Sequence, residues 1–181
     1  RSGVDIDAEF TDWVHKGCSR GQHVLLVLSD VSKSGMLAPS PACALALKGD
    51  FPQQMDVLVD ACQFRIGVQT LRAYLQQGCM VALTGSKFLG GPPFSGALLL
   101  PHPVATRLRV HPAPRALFQY STAADWPHGW DTHELGTTDS FGLLLRWEAA
   151  LHELRMLCTV AEDEIEGFLD LFAHSVRQRL Q

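Results

Sequence analysis

Continuous apolar runs alternate with amphipathic segments along the first hundred residues of the chain. The runs at residues 23–29, 55–59, 80–83 and 97–100 have the length and composition of strands. The first run shows no alternation of apolar and polar positions, so it predicts a parallel strand that is buried on both faces. The pattern therefore predicts a sheet whose strands are separated by helices.

The intervening segments carry apolar residues at a spacing of three to four, which predicts helices. The predicted helices cover residues 5–18, 39–47, 68–77, 105–110, 140–157 and 162–180. We expect the apolar stripes of the last two, including Trp147 and Phe172, to lie in the core. Residues 119–138 lack a clear period and predict a long structured loop. Strands alternating with helices are typical of an α/β fold, with a mostly parallel sheet and helices on both faces.

Composition and charge exclude several classes of function. The net charge is −4, and the basic residues are scattered, so binding to nucleic acid or to an anionic membrane is not expected. The five cysteines form no CxxC pair and predict free thiols in a reducing compartment. No signal peptide or spanning segment is recognised, so we expect a soluble, cytoplasmic protein. His128 and His133 show no ligand spacing, and no metal site is predicted.

Polar side chains follow two neighbouring predicted strands. Asp60 and Gln63 come after the second apolar run, and Thr84, Ser86 and Lys87 come after the third. Because ligands of open α/β sheets bind outside the carboxyl ends of the strands, we expect these side chains to face one crevice. An acid, an amide and a lysine suit pyridoxal phosphate. The lysine amine forms a Schiff base with the aldehyde, and the carboxylate pairs with the ring nitrogen.

Other interpretations of the same residues are simpler than a cofactor site. Asp60 taken alone is typical of a turn cap, and Lys87 taken alone is typical of a solvated surface lysine. A phosphate-binding P-loop requires a glycine spacing that the segment around Gly85 and Lys87 lacks. A hydrolase elbow around Ser95 would require glycine at Pro93. The cofactor interpretation therefore depends on the whole set of residues in order.

Four motifs in order resemble the large domain of fold type I pyridoxal-phosphate enzymes, most closely the class V aminotransferase and cysteine desulfurase group. These motifs are Ser32-Lys-Ser34-Gly35, Asp60 with Gln63, Thr84-Gly-Ser86-Lys87, and Gly136-Thr137. The resemblance implies that Ser32 and Ser34 lie near the cofactor ring and that Thr84 and Ser86 contact its phosphate. It also implies that Thr137 reaches the cofactor phosphate of a partner subunit, so a homodimer is expected. Ser86 stands where many members of the family have histidine, and Cys62 does not match the cysteine nucleophile of desulfurases.

The resemblance implies a transferase or lyase that acts on an amino acid, with Lys87 as covalent anchor and base and Asp60 as partner of the cofactor ring. Residues 1–157 would form the core of the cofactor-binding large domain, incomplete at its start. Residues 158–181 would form a helix that leads toward a small C-terminal domain. The alternative is a non-catalytic dimerisation or interaction module that keeps this fold. The residues leave open the substrate and the choice between transamination, a lyase step and desulfuration.

Overall fold

Four strands form one open sheet at the centre of the protein, described here from a computed structural model of residues 2–33, 35–112 and 114–180. The strands are β1 (Val24–Ser29), β2 (Met55–Asp60), β3 (Met80–Thr84) and β4 (Gly96–Leu99), and they are adjacent in chain order. The first three strands run parallel, and β4 pairs antiparallel with β3. The predicted α/β fold with a mostly parallel sheet is therefore confirmed.

Six α-helices accompany the sheet in the described part of the chain. They are α1 (Gly3–Ser19), α2 (Pro41–Asp50), α3 (Val68–Gln76), α4 (His102–Leu108), α5 (Phe141–Leu157) and α6 (Glu162–Leu180). The local sequence explains where two of these helices begin. Ser2 and Asp5 form a reciprocal capping box at α1, and the Ser40 hydroxyl accepts from the Cys43 N–H at α2, where Pro41 is the first helical residue. Short 3₁₀ helices at Arg115–Gln119 and Ala123–Asp125 are the only regular elements described between α4 and α5.

One face of the sheet, which we call the covered face, carries the hydrophobic core. Because side chains alternate along a strand, one set of apolar residues from the first three strands points to this face. This set is Leu26, Leu28, Val57, Val59, Val81 and Leu83, which are between 0% and 6% exposed. Helices α1, α2 and α3 pack over the set and contribute Val14, Leu47 and Tyr74 to the same cluster. Burial of this surface is the main stabilising term of the fold.

The opposite face, which we call the second face, is more polar. It carries Leu25, Val27, Asp56, Asp60 and Thr84 by the same alternation. Leu25 is 53% exposed and Val27 is 44% exposed, so the prediction that the first strand is buried on both faces is wrong. The physical reason is position, since β1 is an edge strand whose covered face alone lies under α1 and α2.

Helix α6 lies on the surface, in contrast to the prediction of a core helix. Its apolar residues keep the expected spacing, but Phe168 is 66% exposed and Phe172 is 59% exposed. Trp147 of α5 does pack against the core, as predicted, and its Nε1 donates to the Gly96 carbonyl at 3.3 Å. The stripe on α6 is correctly identified as a helix pattern, but the described residues place no element over it.

Among the described residues, no helix combines the length and the apolar content that crossing a membrane requires.

Candidate functional site

The carboxyl ends of β1, β2 and β3 lie side by side at one edge of the sheet. Ser29 pairs with Asp60, and Asp60 pairs with Ala82, so the three strands end at nearly the same level. The backbone ladder continues beyond the strands, because the Asp30 N–H donates to the Asp60 carbonyl at 3.0 Å and the Ala61 N–H donates to the Ala82 carbonyl at 2.9 Å. The sequence prediction that strands end at Ser29, next to Asp60 and next to Thr84 is confirmed. This edge is where an open α/β sheet binds ligands.

Asp60, Cys62 and Lys87 come together at this edge. The Asp60 Oδ1 accepts from the Cys62 N–H at 3.1 Å, which closes a tight turn after β2. Burial, followed by a hydrogen bond with Asp60 and the charge of that carboxylate, raises the pKa of the Cys62 thiol to about 11, while the nearby Lys87 ammonium acts in the opposite direction. The Cys62 thiol therefore lies near both an acid and a cation.

The high pKa of Cys62 also decides what this cysteine can do. At neutral pH the thiol is protonated, and a thiol is a far weaker nucleophile than a thiolate. The inference that Cys62 does not replace the desulfurase nucleophile agrees with this environment.

The loop that carries Lys87 is fixed by close backbone packing. The Gly91 N–H donates to the Gly85 carbonyl at 2.9 Å, and the Gly85 N–H donates to the Ser95 carbonyl at 2.9 Å. A Cβ at Gly85 would lie 2.4 Å from the Ala150 Cβ, and one at Gly91 would lie 2.6 Å from it. The buried Ala150 of α5 thus packs directly against this loop, and only glycine fits at positions 85 and 91. Lys87 extends from this fixed loop and is exposed.

Thr84 and Ser86 place two hydroxyls beside Lys87. Their Oγ atoms lie 2.9 Å apart, and the Ser86 N–H donates to the Thr84 Oγ1 at 3.2 Å. Thr84 shares the second face with Asp60, because Asp60 pairs with Ala82 and Thr84 lies two residues further along β3. Gln63 is half-buried in the loop after β2, three residues beyond Asp60. Five of the eight predicted site residues therefore lie at the ends of β2 and β3 or in the loops that follow them.

The remaining predicted site residues are less closely tied to this edge. Ser32 lies in the loop after β1, where its Oγ accepts from the Met36 N–H at 3.1 Å and its N–H donates to the Met36 carbonyl at 2.9 Å. Ser34 lies outside the described residues. Thr137 is exposed in the loop before α5, and no hydrogen bond joins it to Lys87 or Asp60 within the described chain.

A buried acid that the sequence reasoning did not single out lies next to the site. Asp30 follows β1 directly and is only 5% exposed. Burial, together with a hydrogen bond to Asp30 and the charge of its carboxylate, raises the pKa of Tyr74 well above its ordinary range. The neutral hydroxyl of Tyr74 thus donates to a buried carboxylate and joins α3 to the loop after β1. Its position immediately after a strand is the signal that could have identified Asp30.

Backbone strain is concentrated in the loops at this edge. Val31, Phe64 and Phe94 have φ values of 54°, 50° and 64°, and they follow β1, β2 and β3 respectively. Positive φ is an outlier for a β-branched or bulky residue and costs about 1–3 kcal/mol. Such residues cluster at binding and catalytic sites, so the strain supports a functional role for these loops.

No family model, curated protein or solved structure matches this chain.

Proposed function

We propose that this chain is the cofactor-binding part of a pyridoxal-phosphate-dependent transferase or lyase that acts on an amino acid. The proposal includes the fold type I architecture of the class V group. The observation that carries it is that the Asp60 carboxylate and the Lys87 ammonium both lie close enough to act on the Cys62 thiol, at the carboxyl edge of a parallel sheet. Asp60 has no ion-pair partner within the described residues, so its carboxylate remains available to a ligand.

The residues at the edge fit the groups of this cofactor. Asp60 would accept from the protonated ring nitrogen, because it projects from the second face. Thr84 and Ser86 would donate hydroxyls to the phosphate, and Gln63 would donate its amide to the ring oxygen. Lys87 supplies an amine on a flexible four-carbon stem.

Bound pyridoxal phosphate would supply an aldehyde for an amine and a ring that withdraws electrons from the amino acid. The part of this chain is to hold the ring and to move a proton. Asp60 keeps the ring nitrogen protonated through its charge, and Lys87 takes and returns the proton of the substrate α-carbon. Cys62 stays neutral and offers no competing nucleophile.

The test is to locate the lysine that pyridoxal phosphate modifies. The chain contains four lysines, Lys16, Lys33, Lys48 and Lys87. We expect an absorbance band near the visible edge on titration with the cofactor. Reduction with borohydride, digestion and mass spectrometry should then find the label on Lys87. Lys87→Ala should remove the band, whereas Lys48→Ala is the matched control and should retain it.

Two further results complete the design. Asp60→Asn should weaken cofactor binding by roughly 10–100-fold, because a neutral amide cannot pair with the ring nitrogen as an ion. A label spread evenly over all four lysines, or a band that survives Lys87→Ala, would sink the proposal. Circular dichroism of each variant checks that the fold is retained.

One observation favours the alternative of a non-catalytic interaction module. The apolar side chains of α6 are exposed, with Phe168 and Phe172 stacked at 6.4 Å between ring centroids. Exposed apolar surface of this kind is typical of interfaces. Sedimentation velocity of the wild type and of the double variant Phe168→Ser and Phe172→Ser tests this role. A dimer that dissociates in the variant, in a protein that takes no label on Lys87, would favour the module over the enzyme.

A further inference from the structure

A second cavity lies on the second face of the sheet, away from the Lys87 loop. Its volume is about 630 Å³, within the range of small-molecule pockets. Its floor is formed by Met80, Gly96 and Leu98, and its far wall by Trp126 and Trp130 from the long loop before α5.

Three of the polar groups around this cavity are engaged by other groups of the protein. The Trp126 Nε1 donates to the Ser121 Oγ at 3.1 Å, and that hydroxyl donates to the Leu117 carbonyl at 2.9 Å. The Asp125 Oδ2 accepts from the Thr122 N–H at 2.8 Å. Most residues that line the cavity are apolar, and Asp125 is the one ionised side chain among the described lining residues.

The two indoles set the shape of the ligand surface. Their ring centroids lie 5.3 Å apart with an interplanar angle of 51°, so they form a tilted pair rather than a stack. Aromatic groups prefer such offset or edge-to-face partners, and these contacts add to the energy of burial. A third ring would complete the cluster.

Gly96 leaves space at the floor of the cavity. A Cβ built there would meet no atom within 4 Å, and the residue sits in a strand where its lack of a side chain weakens the fold. Gly96 pairs with Thr84, so this part of the floor lies on the same face of the sheet as the candidate site. A missing side chain at this position thus keeps space for a ligand.

We propose that this cavity binds a small, uncharged aromatic compound through its ring. Apolar walls exclude strongly solvated groups, and the Asp125 carboxylate disfavours anions. The site is separate from the proposed cofactor function, and it is tested without pyridoxal phosphate, so either proposal can fail alone.

Ligand-observed saturation-transfer NMR on the full chain tests the site with four probes. Indole and benzyl alcohol should bind with a Kd of about 1 mM or tighter. Cyclohexylmethanol, the saturated counterpart, should bind roughly threefold more weakly, and benzoate more weakly still. Equal binding of the saturated probe, or tighter binding of benzoate, would overturn the proposal, as would no binding of indole at millimolar concentration.

Two variants and one control make the location specific. Gly96→Val should fill space at the floor of the cavity and raise the Kd of indole at least tenfold, and valine suits a strand, so the melting temperature should not fall. Trp130→Ala should weaken binding similarly. Trp13→Ala removes a 55% exposed indole from α1 and should leave the Kd unchanged. Wild-type affinity in a folded Gly96→Val protein would contradict the assignment.

Discussion

Asp56 and Asp60 lie on the same strand and the same face, four residues apart, and their surroundings are opposite. Asp56 is 7% exposed and accepts from Arg107 through both carboxylate oxygens at 2.6 Å, while His23 Nε2 lies 2.8 Å from Oδ2. Asp60 is engaged by the turn at Cys62, and no ion pair reaches it within the described residues. The carboxylate of an acid that stabilises the fold is paired with cationic side chains of the protein. The carboxylate of an acid that is available to a ligand lacks such partners.

The position of each acid along β2 explains this difference. Asp56 lies near the amino end of the strand, where Arg107 of α4 contacts it. Asp60 lies at the carboxyl end, where loops rather than helices follow. Burial alone would raise the pKa of Asp56, but the hydrogen bonds and charges of His23 and Arg107 together hold it below its ordinary value.

The largest expected effect is on stability. Asp56→Ala should lower the free energy of unfolding by about 2–3 kcal/mol, because it leaves the Arg107 guanidinium without its partner against the sheet. The loss is below that of a fully buried pair, since Arg107 and His23 are about half exposed. Asp60→Ala is the matched variant and should cost about 1 kcal/mol or less. Urea denaturation of both proteins measures the two values, and equal losses would remove the distinction between the acids.

A smaller effect concerns pH. The pKa of Asp56 is lower in the folded protein than in the unfolded chain. Its contribution is therefore fully present above the unfolded pKa of about 3.9 and is lost as the pH falls through the folded pKa. The difference in unfolding free energy between wild type and Asp56→Asn should shrink between about pH 5 and pH 3. A difference that stays constant over this range would show that the pairing with Arg107 and His23 does not depend on ionisation.

The smallest effect concerns the thiol beside Asp60. Asp60→Asn should increase the rate of Cys62 alkylation at pH 8 about threefold, because loss of the carboxylate charge lowers the pKa of the thiol toward its ordinary value. The effect is modest, since burial is the larger cause. Lys87→Ala should slow the reaction, and Asp56→Asn should not change it. Mass spectrometry follows Cys62, with the exposed Cys158 as internal reference. An unchanged alkylation rate in both Asp60→Asn and Lys87→Ala would show that neither residue influences the Cys62 thiol.

The ends of the strands could be predicted from the sequence, whereas the surroundings of individual side chains could not. The ends after Ser29 and at Asp60 and Thr84 follow from apolar runs that stop at polar residues, which is a local signal. Exposure of Val27 and Phe172 depends on what packs over them, and periodicity only identifies which side of an element is apolar. The partners of Asp56 lie 33 and 51 residues away along the chain, so spacing could not reveal them.

The candidate site also has features that could be predicted from the sequence and features that could not. The placement of Asp60, Gln63, Thr84, Ser86 and Lys87 at or just after two neighbouring strand ends could be predicted, because parallel strands have their carboxyl ends at one edge of the sheet. The contact of Ala150 with the Lys87 loop could not, since alanine in an apolar helix has no distinctive pattern. The pyridoxal-phosphate assignment itself stays a prediction.

The tight contact between Gly85, Gly91 and Ala150 has a consequence for how related sequences would vary. Replacement of Gly85 would bring its Cβ to 2.4 Å from the Ala150 Cβ, and replacement of Gly91 would bring its Cβ to 2.6 Å from the same atom. The three positions therefore share a single small volume. A larger residue at one of these positions would require α5 or the loop that carries Lys87 to move away. In descendants of this chain, positions 85, 91 and 150 should therefore change together or not at all, and their joint variation would record whether Lys87 has kept its place.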